Sequence, residues 1–430
     1  MQKSKTEMPT QNKSKNYKIA DSDSPSVVCD GSTQCQTSLF EIGSFFGTDS
    51  PAGTTGNAHT GLQPIVKWPG GKEKELQHIL PNAPVFDRFF EPFVGGGSVF
   101  MAIRAGEYHI NDFSSELIDL YNSIATTDKA FFHYAELMDK SWENAASFFN
   151  DNRVLVDTFL RYRDGGIGKE GLKSFVQSFC KDREADILDI IGEEFSAGPC
   201  ILVKEMEKNL FRKMLRMRAL EIERHLLPDK DLLDNIETAV KSAVYMNYRH
   251  MYNDGGIAAS NRALHCALFF FMRNYAYSGM FRYSSKGEFN VPYGGIAYNG
   301  KSMAKKLNYY RSEPVLGHFE NTHIFNLDFE EFLRKAQPGE RDFVFLDPPY
   351  DSEFSTYAQN AFTRADQERL ANFMINECRA KWMMIIKNTE FIYGLYDKEG
   401  IRIRTFDKDY LVSFMNRNDK KVTHLLITNY

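Results

Sequence analysis

Four short apolar runs, each stopping at a polar or turn residue, constrain this 430-residue chain most. They are FDRFFEPF (86–93), EYHIND (107–112), DFVFLD (342–347) and WMMIIKN (382–388). Runs of this length without polar alternation suit strands buried on both faces of a parallel sheet. Helical patterns follow three of them, SVFMAIRAG, SSELIDLYNSIA and RADQERLANFMINECRA. Strand then helix, repeated, predicts a doubly wound α/β sheet. YLVSFM (410–415) and THLLITNY (423–430) flank the polar NRNDKK and predict a closing antiparallel hairpin.

A long insert, about 123–310, interrupts this pattern. Its first part reads as helical, and KNLFRKMLRMRALEIERHLL (208–227) is its clearest amphipathic helix. From Lys241 to Arg311 there are ten Lys and Arg against only Asp254 and Glu288, a local +8 in a chain of net charge −5. Fifteen Phe and Tyr share that stretch. Basic residues interleaved with aromatics suit a surface that meets phosphates and bases. A half-buried aromatic layer whose Lys and Arg solvate its edge accounts for the pattern equally well.

Residues 1–60 are rich in Ser, Thr, Gln, Asn and Gly and carry too few large apolar groups to offset their ordering entropy, so a disordered tail is expected. Within it Phe45 and Phe46 belong to a small apolar cluster, read as a strand or turn on the protein's own surface or as a docking motif. The remainder, at 43% hydrophobic and 25% charged residues overall, excludes a chain disordered throughout. No run is apolar enough for a membrane span, and the N-terminus leads into no hydrophobic signal segment. Six cysteines without a C-x-x-C pair argue for reduced thiols in a cytoplasm.

Three motifs carry chemistry. In FEPFVGGGSVF (90–100), Gly95, Gly96 and Gly97 allow a tight turn and close approach of a ligand to backbone. Asp112 lies fifteen residues past Gly97 at the end of the next run, where an acidic residue suits ribose hydroxyls of a nucleoside-type cofactor. A purely structural turn would use the same glycines. KWPGGK (67–72) adds a flat Trp68 and a donor, Lys72, or is only the turn before a helix. FLDPPY (345–350) is the most specific of the three. An exocyclic amine on a nucleobase is a poor nucleophile because its lone pair is delocalised into the ring. Two acceptors, the Asp347 carboxylate and the Pro348 carbonyl, can hold its hydrogens and localise that pair. The prolines stiffen the loop and Tyr350 can stack on the base. A base inside a duplex must be flipped out to reach such a pocket. The ten histidines form no H-E-x-x-H pair, so a catalytic metal is not indicated.

In this order the motifs resemble the Dam-type DNA adenine-N6 methyltransferases over roughly 61–430. KWPGGK is similar to the family's first signature, FEPFVGGGSVF to its second and HINDFSSELIDLYN (109–122) to its acidic-strand segment. RNYAYSGMFRYSSKGEFNVPYG (273–294) resembles its target-recognition hairpin, DFVFLDPPY its catalytic strand and loop, and HLLITNY its closing strand. The resemblance implies a Rossmann-like S-adenosylmethionine-dependent fold, with a catalytic domain of residues 61–122 and 311–430. An inserted helical and β-hairpin target-recognition domain (123–310) completes it. It implies S-adenosylmethionine as methyl donor, no metal, and double-stranded DNA as substrate. A cognate restriction endonuclease in the same system is a partner the family admits, and the cytoplasm is the expected compartment.

Carried over residue by residue, the resemblance places Trp68, Lys72, Glu91, Pro92, Phe93, Gly95, Gly97, Asp112 and Asp347 around the donor. Asp347, Pro348, Pro349 and Tyr350 form the catalytic tetrapeptide. In the hairpin, Tyr277 matches a position that wedges into the duplex, with Ser278 beside it, and Met280, Arg282 and Pro292 match positions that touch bases. Ser278 stands where Asn is common and Phe281 where a smaller residue is common, which bears on a GATC-like preference rather than on the chemistry. Two rival readings are a catalytically silent DNA-binding module and an N-methyltransferase of the same fold acting on RNA or protein. N-P-P-Y would suit an amide-type target better than the D-P-P-Y found here.

Overall fold

The computed structural model describes residues 59–198, 200–350, 362–409 and 421–430. Residues 1–58 of the expected tail (1–60), its Phe45–Phe46 cluster and the predicted strand 410–415 lie outside them. Seven strands form one sheet: β1 (Arg88–Glu91), β2 (Glu107–Asn111), β3 (Thr322–Phe325), β4 (Phe343–Leu346), β5 (Lys381–Lys387), β6 (Arg402–Asp409) and β7 (Lys421–Thr428). Their order is β3-β2-β1-β4-β5-β7-β6. β3, β2, β1, β4 and β5 pair in parallel. β7 runs antiparallel to both β5 and β6.

The apolar runs become central strands because both faces are covered. All four residues of β4 are buried. Successive side chains of a strand leave opposite faces. Phe343 and Phe345 therefore join the core on one side, with Phe89, Ile110, Met383 and Ile385. Val344 and Leu346 join the core on the other, with Phe90, Trp382, Met384 and Ile386.

One element departs from the sequence expectation. β3 was not anticipated: it is a four-residue edge strand, only partly buried. The closing antiparallel pair is present among the described residues, with β6 at Arg402–Asp409 paired to β7. β6 covers one sheet edge, and its alternating polar residues hide the strand signal.

Between β2 and β3 the chain is helical. Four of its helices are Lys129–Asp151, Leu202–Glu223, Asp229–Tyr252 and Arg262–Tyr275. The amphipathic helix expected at 208–227 thus begins and ends earlier, as Leu202–Glu223. Asp128 caps the first of the four by accepting from the amides of Ala130 and Phe131. Asn261 caps the helix Arg262–Tyr275 through Leu264 N. Trp142 packs on Tyr275 with ring centroids 4.4 Å apart. Eleven of the fifteen aromatics between residues 241 and 311 are buried. The aromatic stretch is therefore chiefly a core layer, as the plainer of its two readings had it. Tyr277 is the large aromatic left exposed in it, at 36%. No helix among the described residues is long and apolar enough to cross a membrane.

Candidate active site

β1 ends at Glu91, and the chain turns through Pro92–Gly97 into the short helix Ser98–Ala102. Gly95 and Gly97 have φ of +50° and +79°, in the left-handed region that side chains disfavour. Gly96 is required for a different reason: a Cβ there would sit 2.3 Å from the Val66 carbonyl oxygen. The segment 65–72 lies directly against the loop, and Ile65 N donates to Gly96 O at 3.0 Å. The turn of KWPGGK is closed by Gly71 N donating to Trp68 O at 3.1 Å.

These pieces enclose a cleft of about 240 Å³ lined by Trp68, Lys72, Glu91, Gly95, Gly96 and Asp347, among others. Lys72 is buried at 2% exposure, and its Nζ donates to Gly70 O at 2.7 Å and to Asp347 Oδ2 at 2.5 Å. A bond between the first motif and the end of β4 thus joins residues far apart in the chain. Nζ also lies 5.6 Å from the Tyr350 ring centroid. Tyr350 in turn meets the buried His424 ring edge-on at 5.6 Å. Pro348 is buried and Pro349 exposed. The carbonyl of Pro349 accepts from Nε2 of the fully buried Gln367 at 2.8 Å, which anchors the loop from the helix Arg364–Asn376.

The expected donor residues divide into two sets. Trp68, Lys72, Glu91, Gly95 and Asp347 share the cleft lining. Pro92, Phe93, Gly97 and Asp112 are not part of that lining and support it. Asn111 Nδ2 donates to Pro92 O at 3.0 Å. Phe93 packs against Phe329 at a tilt and against Phe362 edge-on, each with ring centroids 5.6 Å away. A Cβ on Gly97 would lie 2.5 Å from the Tyr121 hydroxyl. Asp112 accepts from Gly95 N at 3.0 Å and Ser114 N at 2.9 Å, which ties the glycine loop to the end of β2. Burial pushes the Asp112 carboxyl up, against the pull of these amides.

Glu91 stands out electrostatically. It is 2% exposed, and its Oε2 has no hydrogen-bond partner among the described residues. Burial raises its carboxyl well above the usual range, Asp347 adds to this, and an amide bond from Phe100 and the charge of Lys72 oppose it. An unsatisfied carboxylate oxygen lining a cleft fits a cationic ligand. The glycine cradle, which any Cβ would fill, fits a ligand pressed against backbone.

The hairpin residues lie on another wall. Its ladder is sparse, with bridges Ala276–Tyr293 and Tyr283–Phe289. Tyr277 N donates to Pro292 O at 2.9 Å. Met280 and Pro292 are half-buried. Ser278 has φ +54°, a conformation that Asn tolerates better than most residues. Arg282 is exposed, its Nε held by Asn290 Oδ1 at 2.9 Å. The hairpin reaches the cleft through Phe281, 6.0 Å from the Trp68 ring.

Several contributors escape sequence reasoning. Gln367 and Asn111 act through partners distant in the chain; their one signal is an amide where the pattern calls for an apolar residue. Arg273 is 4% exposed, its guanidinium 5.0 Å from the Trp68 ring and 4.7 Å from Phe281. Its Nη2 donates to Lys67 O, while Nε and Nη1 have no partner among the described residues.

A sheet with only its sixth position reversed, and a cleft at the carboxyl ends of β1 and β4, is the arrangement of S-adenosylmethionine-dependent methyltransferases, whose ligands enter beyond the strand ends. Comparison with known proteins narrows the class. The chain matches the family described as D12 class N6 adenine-specific DNA methyltransferase over residues 68–195 and 203–406, and it belongs to that family. It is 32% identical over 390 residues to Type II methyltransferase M.MjaIII of Methanocaldococcus jannaschii, covering 86% of this chain and 99% of that one. It is 23% identical over 378 residues to Type II methyltransferase M1.LlaDCHI of Lactococcus lactis subsp. cremoris, covering 86% and 96%. A DNA adenine methylase of Serratia marcescens is 23% identical over 359 residues, 81% of this chain and 93% of that one. The protein is thus an adenine-specific DNA methyltransferase with S-adenosylmethionine as donor.

Proposed function

We propose that the enzyme flips an adenine out of duplex DNA and presents its N6 amine to the corner formed by Asp347–Tyr350, at a GATC-like site. The observation that carries this is the shared lining: Asp347 stands in the same cleft as the glycine cradle. In this reading the Asp347 carboxylate and the Pro348 carbonyl accept the two N6 hydrogens. Lys72 donates to Asp347 Oδ2 and so fixes the orientation of the carboxylate. Gln367 keeps the Pro-Pro turn in place, and Tyr350 offers the base a ring face. Trp68, Lys72, Glu91 and Asp347 hold the donor, and Asp112 fixes the loop beneath it. The donor's sulfonium supplies an electrophilic methyl. Tyr277 enters the duplex beside the target, and Ser278, Met280, Arg282 and Pro292 meet the bases. The activity belongs in the cytoplasm, with a restriction endonuclease of matching specificity as a partner. Modification-aware sequencing of DNA from cells expressing the chain reads both atom and context. N6-methyladenine in one short motif is the expected result; label confined to cytosine, RNA or protein rejects the proposal.

Two further outcomes test individual residues. Arg282→Ala removes a guanidinium suited to guanine O6 and N7, so discrimination at one base pair falls by about 1–3 kcal/mol. Unchanged relative rates on substrates altered at each position would place the reading elsewhere. Glu91 predicts a pH dependence of donor binding. The free protein holds its carboxyl protonated above the usual range. A cationic ligand favours the ionised form, so binding releases a proton and affinity rises with pH until the free carboxyl is itself ionised. Lys72, Asp347 and Asp112 face it and shift the window without changing the sign. Calorimetry of S-adenosylmethionine binding across pH checks this, and Glu91→Gln should flatten the profile.

A further inference from the structure

On the opposite side of β1 from β4, the sheet ends in a group of side chains that the methyl-transfer chemistry does not use. β2 and β3 pair in parallel with His109 directly beside His323. Glu107 precedes His109 by two residues on β2, so both side chains leave the same face. Nε2 of His109 lies 2.6 Å from Glu107 Oε1, and Nε2 of His323 lies 3.3 Å from that same oxygen. One ligating atom from each residue falls within 4.8 Å of the other two.

The rings are already ordered. His109 stacks on Phe90 with centroids 4.5 Å apart and planes 4° from parallel. His323 stacks on His109 at 4.7 Å. His109 is 8% exposed, and its Nδ1 has no partner among the described residues. Glu107 and His323 retain solvent access, and β3 is an edge strand, so the group can be reached from outside.

We propose that Glu107, His109 and His323 form a three-ligand site for a zinc-type divalent ion that staples β2 to β3. Two imidazoles and one carboxylate make a borderline donor set, which selects zinc-like ions over magnesium or calcium. Ligand atoms of a tetrahedral site with bonds near 2.0–2.1 Å stand roughly 3.4 Å apart. The three atoms lie within 4.8 Å of one another, and rotation of the exposed His323 ring out of its stack on His109 would aim its in-plane lone pair at a shared ion with no change in strand register. The open side leaves a fourth position to water. The ion takes no part in methyl transfer. It ties together the strands that lead into Asp112 and Asn326, whose amide Nδ2 donates to Asp112 O at 2.8 Å.

The test uses the full chain stripped with chelator, with zinc chloride as the probe. Titration calorimetry should show one site lost by at least about tenfold in affinity in His323→Ala and in Glu107→Gln. Zinc, and not magnesium, should raise the melting temperature of the wild type and leave both variants unmoved. His323 is exposed, so its variant folds, and circular dichroism checks this. Zinc affinity unchanged in both variants, pointing to the cysteines or to the N-terminal residues, overturns the proposal. So does a wild type that binds no zinc at 100 µM.

Discussion

Replacing Asp347 with Ala should reduce turnover by at least about a hundredfold while S-adenosylmethionine binding changes far less. Removing one preorganised polar group that acts on the reacting atoms costs about 10²–10³ in rate. In the proposed reading the carboxylate serves the amine, whereas the cleft keeps its other walls of Trp68, Glu91, Gly95 and Gly96. The substitution also leaves the buried Lys72 ammonium with Gly70 O as its one hydrogen-bond partner among the described residues. Breaking a buried pair by deleting one member costs about 3–5 kcal/mol, less here because the Asp347 side chain is 20% exposed. Asp347→Asn keeps the volume and one acceptor oxygen, and separates lost chemistry from lost stability. Single-turnover rates and donor titrations on both variants decide the matter. Turnover within about tenfold of wild type in Asp347→Ala would remove the acceptor role.

The second large effect should come from a single methyl group. Gly96→Ala places its Cβ 2.3 Å from Val66 O, which is backbone and has no side-chain rotation to relieve it. Either the loop or the segment 65–68 must shift, and overpacking of this kind costs about 1–3 kcal/mol. The shift falls on the cradle itself, because Ile65 N and Gly96 O are bonded to each other. Donor affinity should drop by more than about tenfold, with a lowered melting temperature. A control at Gly317, where an added Cβ meets nothing within 4 Å, should leave donor affinity unchanged. Equal affinities for wild type and Gly96→Ala would show that the donor does not rest on this loop.

What the sequence discloses depends on where each residue's partners lie. β4 is legible because burial on both faces demands contiguous apolar residues, and FVFL supplies four. β3 is not, because THIF is short, lies at an edge and opens with two polar residues. β6 gives a weak signal for a related reason: RIRTF needs an apolar residue only on its inner face. At the site, the glycine loop and D-P-P-Y are runs of adjacent residues, so their chemistry reads directly. The Lys72–Asp347 bond, the Gln367 anchor and the Glu107–His109–His323 group each join segments that only the folded sheet brings together. The aromatic stretch shows the converse limit. Its composition suggests a base-stacking surface, yet burial claims most of its rings, and only geometry singles out Tyr277.

Arg273 has a consequence for how such an enzyme can acquire a new recognition sequence. Its guanidinium lies in a slot whose two sides are Trp68, from the donor cleft, and Phe281, from the hairpin. A cation with so few hydrogen bonds relies on both ring faces for its solvation, so thinning one side weakens its hold on the other. A substitution at residue 281 therefore disturbs Trp68, one wall of the cleft proposed to hold the donor. Lineages that diversify at this position must accommodate Arg273 at the same time, and a swapped hairpin carries its matching partner for Trp68 or forfeits donor affinity.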